Sequence, residues 1–171
     1  MNKKNVFITR AAAIAAIYAV LTLIGAVFGL SYGGIQFCFS EALCILPLFS
    51  ASAVPGLTVG CVVANIMSSV NPLDTVIGSF ATLLAAICTR KCRNIKIKGL
   101  PVLSLFFPVL FNALFVGAEI AFFTTPDAFL TGFSLNALTV GIGEAAVMYT
   151  LGIALVTFIR KNNRIGRLIS D

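Results

Sequence analysis

The chain has 171 residues, 59% hydrophobic and 11% charged, with a formal net charge of +6, a pI near 9.3 and a mean hydropathy of +1.04. Soluble domains carry about 25% charged residues, so this composition belongs to an integral membrane protein. The basic excess does not signal nucleic acid, because no helix face interleaves Lys or Arg with aromatics. With no histidine and no Cys-x-x-Cys pair among Cys38, Cys44, Cys61, Cys88 and Cys92, neither a metal nor another cofactor is expected.

The 12 basic residues fall into three groups: Lys3, Lys4 and Arg10; Arg90, Lys91, Arg93, Lys96 and Lys98; and Arg160, Lys161, Arg164 and Arg167. Basic residues flanking membrane spans stay in the cytoplasm, so the pattern predicts both termini and one central loop inside, with an even number of crossings in each apolar stretch. The first run, about Val6 to Leu30, exceeds the ~7–15 residues of a signal core and reads as a retained first helix over Ile8–Leu30. The segment Ser31–Phe39 is then an outer one. Its glycines, aromatics and Gln36 suit either a lid or an ordinary surface loop.

Three further spans are expected at Ser40–Ser52, Val54–Val70 and Asp74–Thr89. The first is short, since a dozen residues at ~1.5 Å each reach ~18 Å across a core of ~30 Å. Its turn is read at Ala53-Val54-Pro55-Gly56 from the Pro-Gly pair. After the central basic loop, spans are expected at Leu100–Phe123 and Asn136–Ile159, joined by an outer loop containing Thr124, Thr125, Pro126 and Asp127. The expectation is an all-α, six-helix membrane bundle forming a single domain over residues 1–171, in contact with lipid.

Four of the six acidic residues, Glu41, Asp74, Glu119 and Glu144, lie in or at the ends of these spans. An ionised group at the centre of a membrane helix costs on the order of 2.5–3.5 kcal/mol, so such residues face a cavity or a partner. The topology puts all four in the outer half, which points to a common outward-facing pocket. Glu41 and Asp74 have a second reading as helix N-terminal caps. Asn112 shares the face of Glu119, and Asn65 follows Cys61 at i+4. A membrane asparagine serves either ligand contact or an interhelical hydrogen bond. No Lys, Arg or His lies within the bilayer to neutralise an anion, so the ligand should be neutral or cationic and rich in N–H donors. A guanine-like edge suits a carboxylate, which accepts two parallel N–H bonds.

On the first helix, Ala11, Ala15 and Ala19 form one small-residue face and Ala12 and Ala16 its neighbour. Such faces let a second helix approach closely, either within the bundle or from another membrane subunit. No phosphate-binding GxxxxGK[ST] loop is present, so any ATP-driven transport needs a partner to hydrolyse it.

The run Tyr32-Gly33-Gly34-Ile35-Gln36 with Ser40-Glu41-Ala42-Leu43, then Pro55-Gly56-Leu57, Gly60-Cys61, Ala64-Asn65, Asp74, Gly78-Ser79 and Ala81-Thr82-Leu83-Leu84, resembles the QueT family of queuosine-precursor transporters. Asn112-Ala113-Leu114, Gly117-Ala118-Glu119 and Gly143-Glu144 with Tyr149 and Gly152 continue the likeness. The resemblance implies the substrate-binding S component of an energy-coupling factor importer, working with a transmembrane coupling subunit and two ATPases. It implies that the alanine face of the first helix meets the coupling subunit, and that the ligand is a 7-deazaguanine such as queuine or its aminomethyl precursor. One departure is Cys38, where the family commonly has a basic residue. The substrate-contacting residues expected are Gln36, Glu41, Asn65, Asp74, Asn112, Glu119 and Glu144, and no catalytic residue is expected. A stand-alone carrier coupled to protons or other ions is the alternative, with Glu119 binding the proton. A membrane enzyme lacks a nucleophile-base pair to work with.

Overall fold

The apolar runs fold as helices because a chain surrounded by lipid must satisfy its backbone polar groups internally. The computed structural model describes residues 2–28, 38–68 and 72–169, and the lid or loop expected around Gln36 lies outside them. Among the described residues are seven α-helices and no β-strand. Four helical runs are long and apolar enough to cross a membrane: Lys3–Val27, Leu73–Lys91, Val102–Thr124 and Pro126–Lys161. Phe39–Leu48 and Ala53–Met67 are apolar but shorter.

Helix α1 (Lys3–Val27) starts at Asn2, whose side-chain oxygen accepts from the Lys4 N–H at 3.3 Å. It packs against α2 (Ala53–Ser68), and the contact is made by small residues. A Cβ at Gly56 would stand 2.8 Å from the Ala11 carbonyl oxygen, and one at Gly60 2.8 Å from that of Ala15. The two helices are therefore parallel and in register at four-residue steps. Helices α4 (Val102–Thr124) and α5 (Phe129–Val147) cross in the same manner but antiparallel: a Cβ at Gly117 would meet the Ala137 Cα at 2.8 Å, and one at Gly141 the Ala113 Cβ at 3.4 Å. Close backbone approach supplies the dispersion energy that lipid does not supply hydrophobically. Helix α3 (Pro72–Lys91) lies between α2 and α4.

The expected short second span is a ten-residue 3₁₀ helix, Phe39–Leu48, not an α-helix over Ser40–Ser52. It touches α1, α2, α3, α4 and α5, and Ser40, Glu41, Ala42, Cys44, Ile45, Leu46 and Pro47 are buried. A 3₁₀ helix rises ~2.0 Å per residue, so ten residues extend about 20 Å where an α-helix would give about 15 Å. Stretching lets a short segment run deep, and sheathing by protein removes the need to match the bilayer. The turn after it is at Phe49–Ser52, not at Ala53-Val54-Pro55-Gly56. Ser50 and Ser52 are fully buried with their hydroxyls 2.7 Å apart. Pro55 instead sits in the first turn of α2, where its missing N–H costs no helical bond, and Gly56 is used for the contact with Ala11.

In α4, Pro108 has no N–H to give the Ser104 carbonyl one turn earlier. The Thr89 hydroxyl of α3 donates to that oxygen at 3.0 Å, which satisfies the buried acceptor. The last helical run begins at Phe129 rather than Asn136, after the 3₁₀ turn Pro126–Ala128. Its polar residues stay helical by bonding back to the preceding turn, as Ser134 does to the Leu130 carbonyl at 2.8 Å. The run continues through a π-helical turn, Met148–Gly152, into α6 (Ile153–Lys161), and α7 (Asn163–Ile169) follows.

The three basic clusters meet at one end of the bundle. Arg90 donates to the Pro47 carbonyl at 3.1 Å and Arg160 to the Gly99 carbonyl at 2.8 Å. The Pro47 end leads through the turn at Phe49–Ser52 to the start of α2, which lies beside Ala11 and so next to Arg10. Gly99, with φ +81°, completes a tight turn closed by Ile97 and Leu100.

Candidate functional site

A cavity of about 300 Å³ lies toward the opposite end of the bundle, at the small end of the ~300–1,000 Å³ usual for small-molecule sites. Its walls come from late α1 (Tyr18, Thr22), the start of the 3₁₀ helix (Cys38, Ser40, Glu41), late α2 (Cys61, Asn65), early α3 (Asp74, Gly78, Thr82), α4 (Asn112, Val116, Glu119, Ile120, Phe123, Thr124) and α5 (Val140, Glu144). Six of the seven residues expected from sequence to contact a ligand thus line one space: Glu41, Asn65, Asp74, Asn112, Glu119 and Glu144. Gln36 is the exception, lying outside the described residues. No Lys or Arg is among the lining residues.

The four carboxylates are not equivalent. Glu41 is bonded on both oxygens: the Tyr18 hydroxyl donates to Oε1 and the Cys44 thiol to Oε2, the latter at 2.9 Å. Next to it Thr22 donates to the Ser40 hydroxyl at 2.7 Å, so α1 and the 3₁₀ helix are joined by two side-chain bonds. Among the described residues, Glu144, 3% exposed, has no partner for Oε1, and Glu119, 8% exposed, has none for Oε2. A buried acceptor left without a donor costs about 1–3 kcal/mol, more when charged. Two such atoms facing one cavity are poised for N–H donors from a ligand. Asn112 lies beside Glu144, and Asp74 close enough to Glu119 for their charges to act on each other.

Placement refines the expected depth. Asp74 is in the first turn of α3 and Glu119 in the last third of α4, both toward the open end. Glu144 sits near the middle of the continuous run Phe129–Lys161, deeper than an early position in a helix starting at Asn136 implies. The π-helical turn begins four residues later. Such turns disturb the helical hydrogen-bond ladder and recur at functional sites.

Asn65 bridges elements: its amide donates to the Asp74 carbonyl at 3.1 Å and to the Cys61 sulfur at 3.6 Å. A Cβ at Gly78 would stand 3.1 Å from that amide and 3.3 Å from the Asp74 Oδ1, so glycine keeps this corner open. Tyr18, Thr22, Cys61 and Thr82 are wall residues that sequence reading passes over. Tyr18 had a usable signal, because a phenol within a membrane helix needs a partner for its hydroxyl. Cys61 had none; its sulfur is buried and accepts from Thr82 at 3.5 Å.

The alanines divide between two environments. Ala11 and Ala15 meet the glycines of α2, and Ala19 is buried. Ala12 and Ala16 stay exposed, continuous with Ile17 and Val20.

Among known proteins, residues 8–161 match the family model described as QueT transporter. A curated relative, the queuosine precursor transporter QueT of Lactococcus lactis subsp. cremoris (strain MG1363), is 33% identical over 85 residues, which cover 49% of this chain and 50% of that protein. The chain therefore matches about half the length of that relative. No solved structure matches. With the family match spanning most of the helical bundle, the chain belongs to the QueT transporter family.

Proposed function

We propose that this chain is the substrate-binding S component of an energy-coupling factor importer, and that its cavity binds a 7-deazaguanine queuosine precursor or queuine from outside the cell. The observation that carries this reading is the pair of buried carboxylate oxygens, on Glu119 and Glu144, without a partner among the described residues, in one cavity of a QueT-family chain. A guanine edge offers parallel N–H donors, which is what a free carboxylate accepts.

In this reading the bundle crosses the membrane six times, the 3₁₀ helix and α2 included, with both termini in the cytoplasm. Support comes from the three basic clusters sharing the end opposite the cavity, since basic flanks are retained inside. The exposed Ala12 and Ala16 face of α1 docks a transmembrane coupling subunit, and two partner ATPases supply the energy. Ala11, Ala15 and Ala19 contribute indirectly, by setting how α1 rests on α2.

The test is equilibrium binding of 7-deazaguanines to the purified full chain in detergent. The expected result is saturable binding that Glu144→Gln weakens by roughly 10- to 100-fold. Unchanged affinity in both Glu119→Gln and Glu144→Gln would remove the proposed site. Uptake by the reconstituted chain alone, abolished by an uncoupler, would instead support a stand-alone carrier.

A further inference from the structure

The end of the bundle where the basic clusters meet carries charge of one sign. Among the described residues, Glu41, Asp74, Glu119 and Glu144 line the cavity at the other end, and Asp127 lies in the turn after α4 on that same side. Basic flanks alone are common to membrane spans. What sets this end apart is a second depression, of about 380 Å³, between the end of the 3₁₀ helix, α6 and α7.

Phe49 and Ile159 give this depression an apolar lining, and Arg160, Asn163 and Arg167 its polar walls, while Gly166 leaves one side without a side chain. No Asp or Glu is among the lining residues. Arg160 is anchored by donating to the Gly99 carbonyl at 2.8 Å, which engages one of the five N–H donors of its guanidinium. Arg167 is carried by α7, whose Ile165 and Ile169 pack against the core. The Asn162 side chain caps that helix, accepting from the Arg164 N–H at 3.1 Å and the Ile165 N–H at 3.3 Å. Two guanidiniums lining one space repel each other until an anion enters, and their planar forks match the oxygens of a phosphate. The rim favours a lipid as the source of that phosphate. Phe158 and Leu168, each beside a lining residue in sequence, are 54% and 70% exposed, and such apolar groups suit acyl chains where a water-soluble phosphate would gain nothing from them.

We infer that this depression binds the phosphate of an anionic phospholipid in the adjoining leaflet. Arg160 and Arg167 hold the phosphate oxygens, Asn163 adds an amide donor, and the acyl chains lie against Phe158 and Leu168. Because Arg160 also holds the Gly99 turn, a bound lipid ties the loop between α3 and α4 to α6 and α7. None of this depends on what the outer cavity binds.

The experiment titrates dioleoylphosphatidylglycerol or dioleoylphosphatidylcholine into the purified full chain in detergent and counts bound lipids by native mass spectrometry. The first phosphatidylglycerol is expected to bind roughly 10-fold more tightly than the first phosphatidylcholine. Arg167→Gln, which removes a phosphate donor, and Gly166→Leu, which fills the depression and keeps both arginines, each reduce that preference to about threefold or less. Arg164→Gln removes the same charge from the same cluster but outside the lining, and leaves the preference intact. Excess inorganic phosphate does not displace the lipid. Equal binding of the two lipids by the wild-type chain overturns the inference without recourse to any variant. An equal loss in Arg164→Gln and Arg167→Gln overturns it in favour of diffuse surface charge, and displacement by inorganic phosphate overturns the lipid as occupant.

Discussion

The contact between α1 and α2 gives a quantitative test of the fold. In Gly60→Ala the new methyl would lie 2.8 Å from the Ala15 carbonyl oxygen, 2.9 Å from the Tyr18 Cβ and 3.0 Å from the Ala15 Cα. Ordinary contact begins at 3.4 Å, so the helices must move apart, and two of the three obstructing atoms belong to the backbone. Overpacking of this kind costs about 1–3 kcal/mol, partly offset by the ~1 kcal/mol that alanine gains over glycine inside a helix. Gly141→Ala is the matched control, because its methyl meets only the Ala113 Cβ at 3.4 Å. It gains the same propensity without the clash. The stability difference between the two variants therefore isolates the helix contact, at about 1–3 kcal/mol. Reversible unfolding in mixed micelles, followed by far-UV circular dichroism, measures it. Ala15→Gly should not rescue Gly60→Ala, since trimming that side chain leaves the obstructing backbone in place. Two variants within about 0.5 kcal/mol of each other would refute the close crossing.

Three further outcomes are expected. Tyr18→Phe leaves Glu41 Oε1 without its donor and destabilises the bundle by about 1–3 kcal/mol, read by the same unfolding experiment. Thr89→Val orphans the Ser104 carbonyl at a similar cost of about 1–3 kcal/mol, and Pro108→Ala, which restores a backbone donor, reduces that cost in the double variant. In intact cells a membrane-impermeant maleimide modifies Cys38, which is partly exposed on the cavity wall, and spares the fully buried Cys44. Bound ligand should slow the Cys38 reaction, and modification of Cys44 at an equal rate would refute the placement of the opening.

The helical outline is legible because membrane spans announce themselves by length and hydropathy, and the basic clusters mark which helix ends lie together. The bounds of α3 and α4 follow this signal closely, whereas α1 runs over Lys3–Val27 and so starts ahead of the expected Ile8. It fails at Phe39–Leu48, where hydropathy cannot distinguish a segment that faces lipid from one enclosed by five helices. Only enclosure makes a stretched 3₁₀ geometry tolerable over ten residues. The turn is misplaced for a related reason. Pro-Gly is a turn signal in water, but here Pro55 starts a helix and Gly56 is required by a neighbour 45 positions earlier in sequence, Ala11. The early start of the last helix is hidden because Ser134 looks like a loop residue until its hydroxyl finds the preceding turn.

The acids of the site are legible because lipid makes ionisable residues rare, so each one in a span needs a reason. Their individual roles are not, because sequence treats Glu41 and Glu144 alike. What separates them is that Tyr18 and Cys44 reach Glu41, while no side chain among the described residues reaches Glu144 Oε1. Glu41 ties α1 to the central 3₁₀ helix, and α1 otherwise packs chiefly on α2. Removing its charge therefore loosens a wall of the cavity as well as altering its polarity. Weaker ligand binding in Glu41→Gln accompanied by lost stability reports on that wall. Weaker binding in Glu144→Gln with stability kept or raised, since a buried carboxylate oxygen lacking a donor is relieved, reports on the ligand itself.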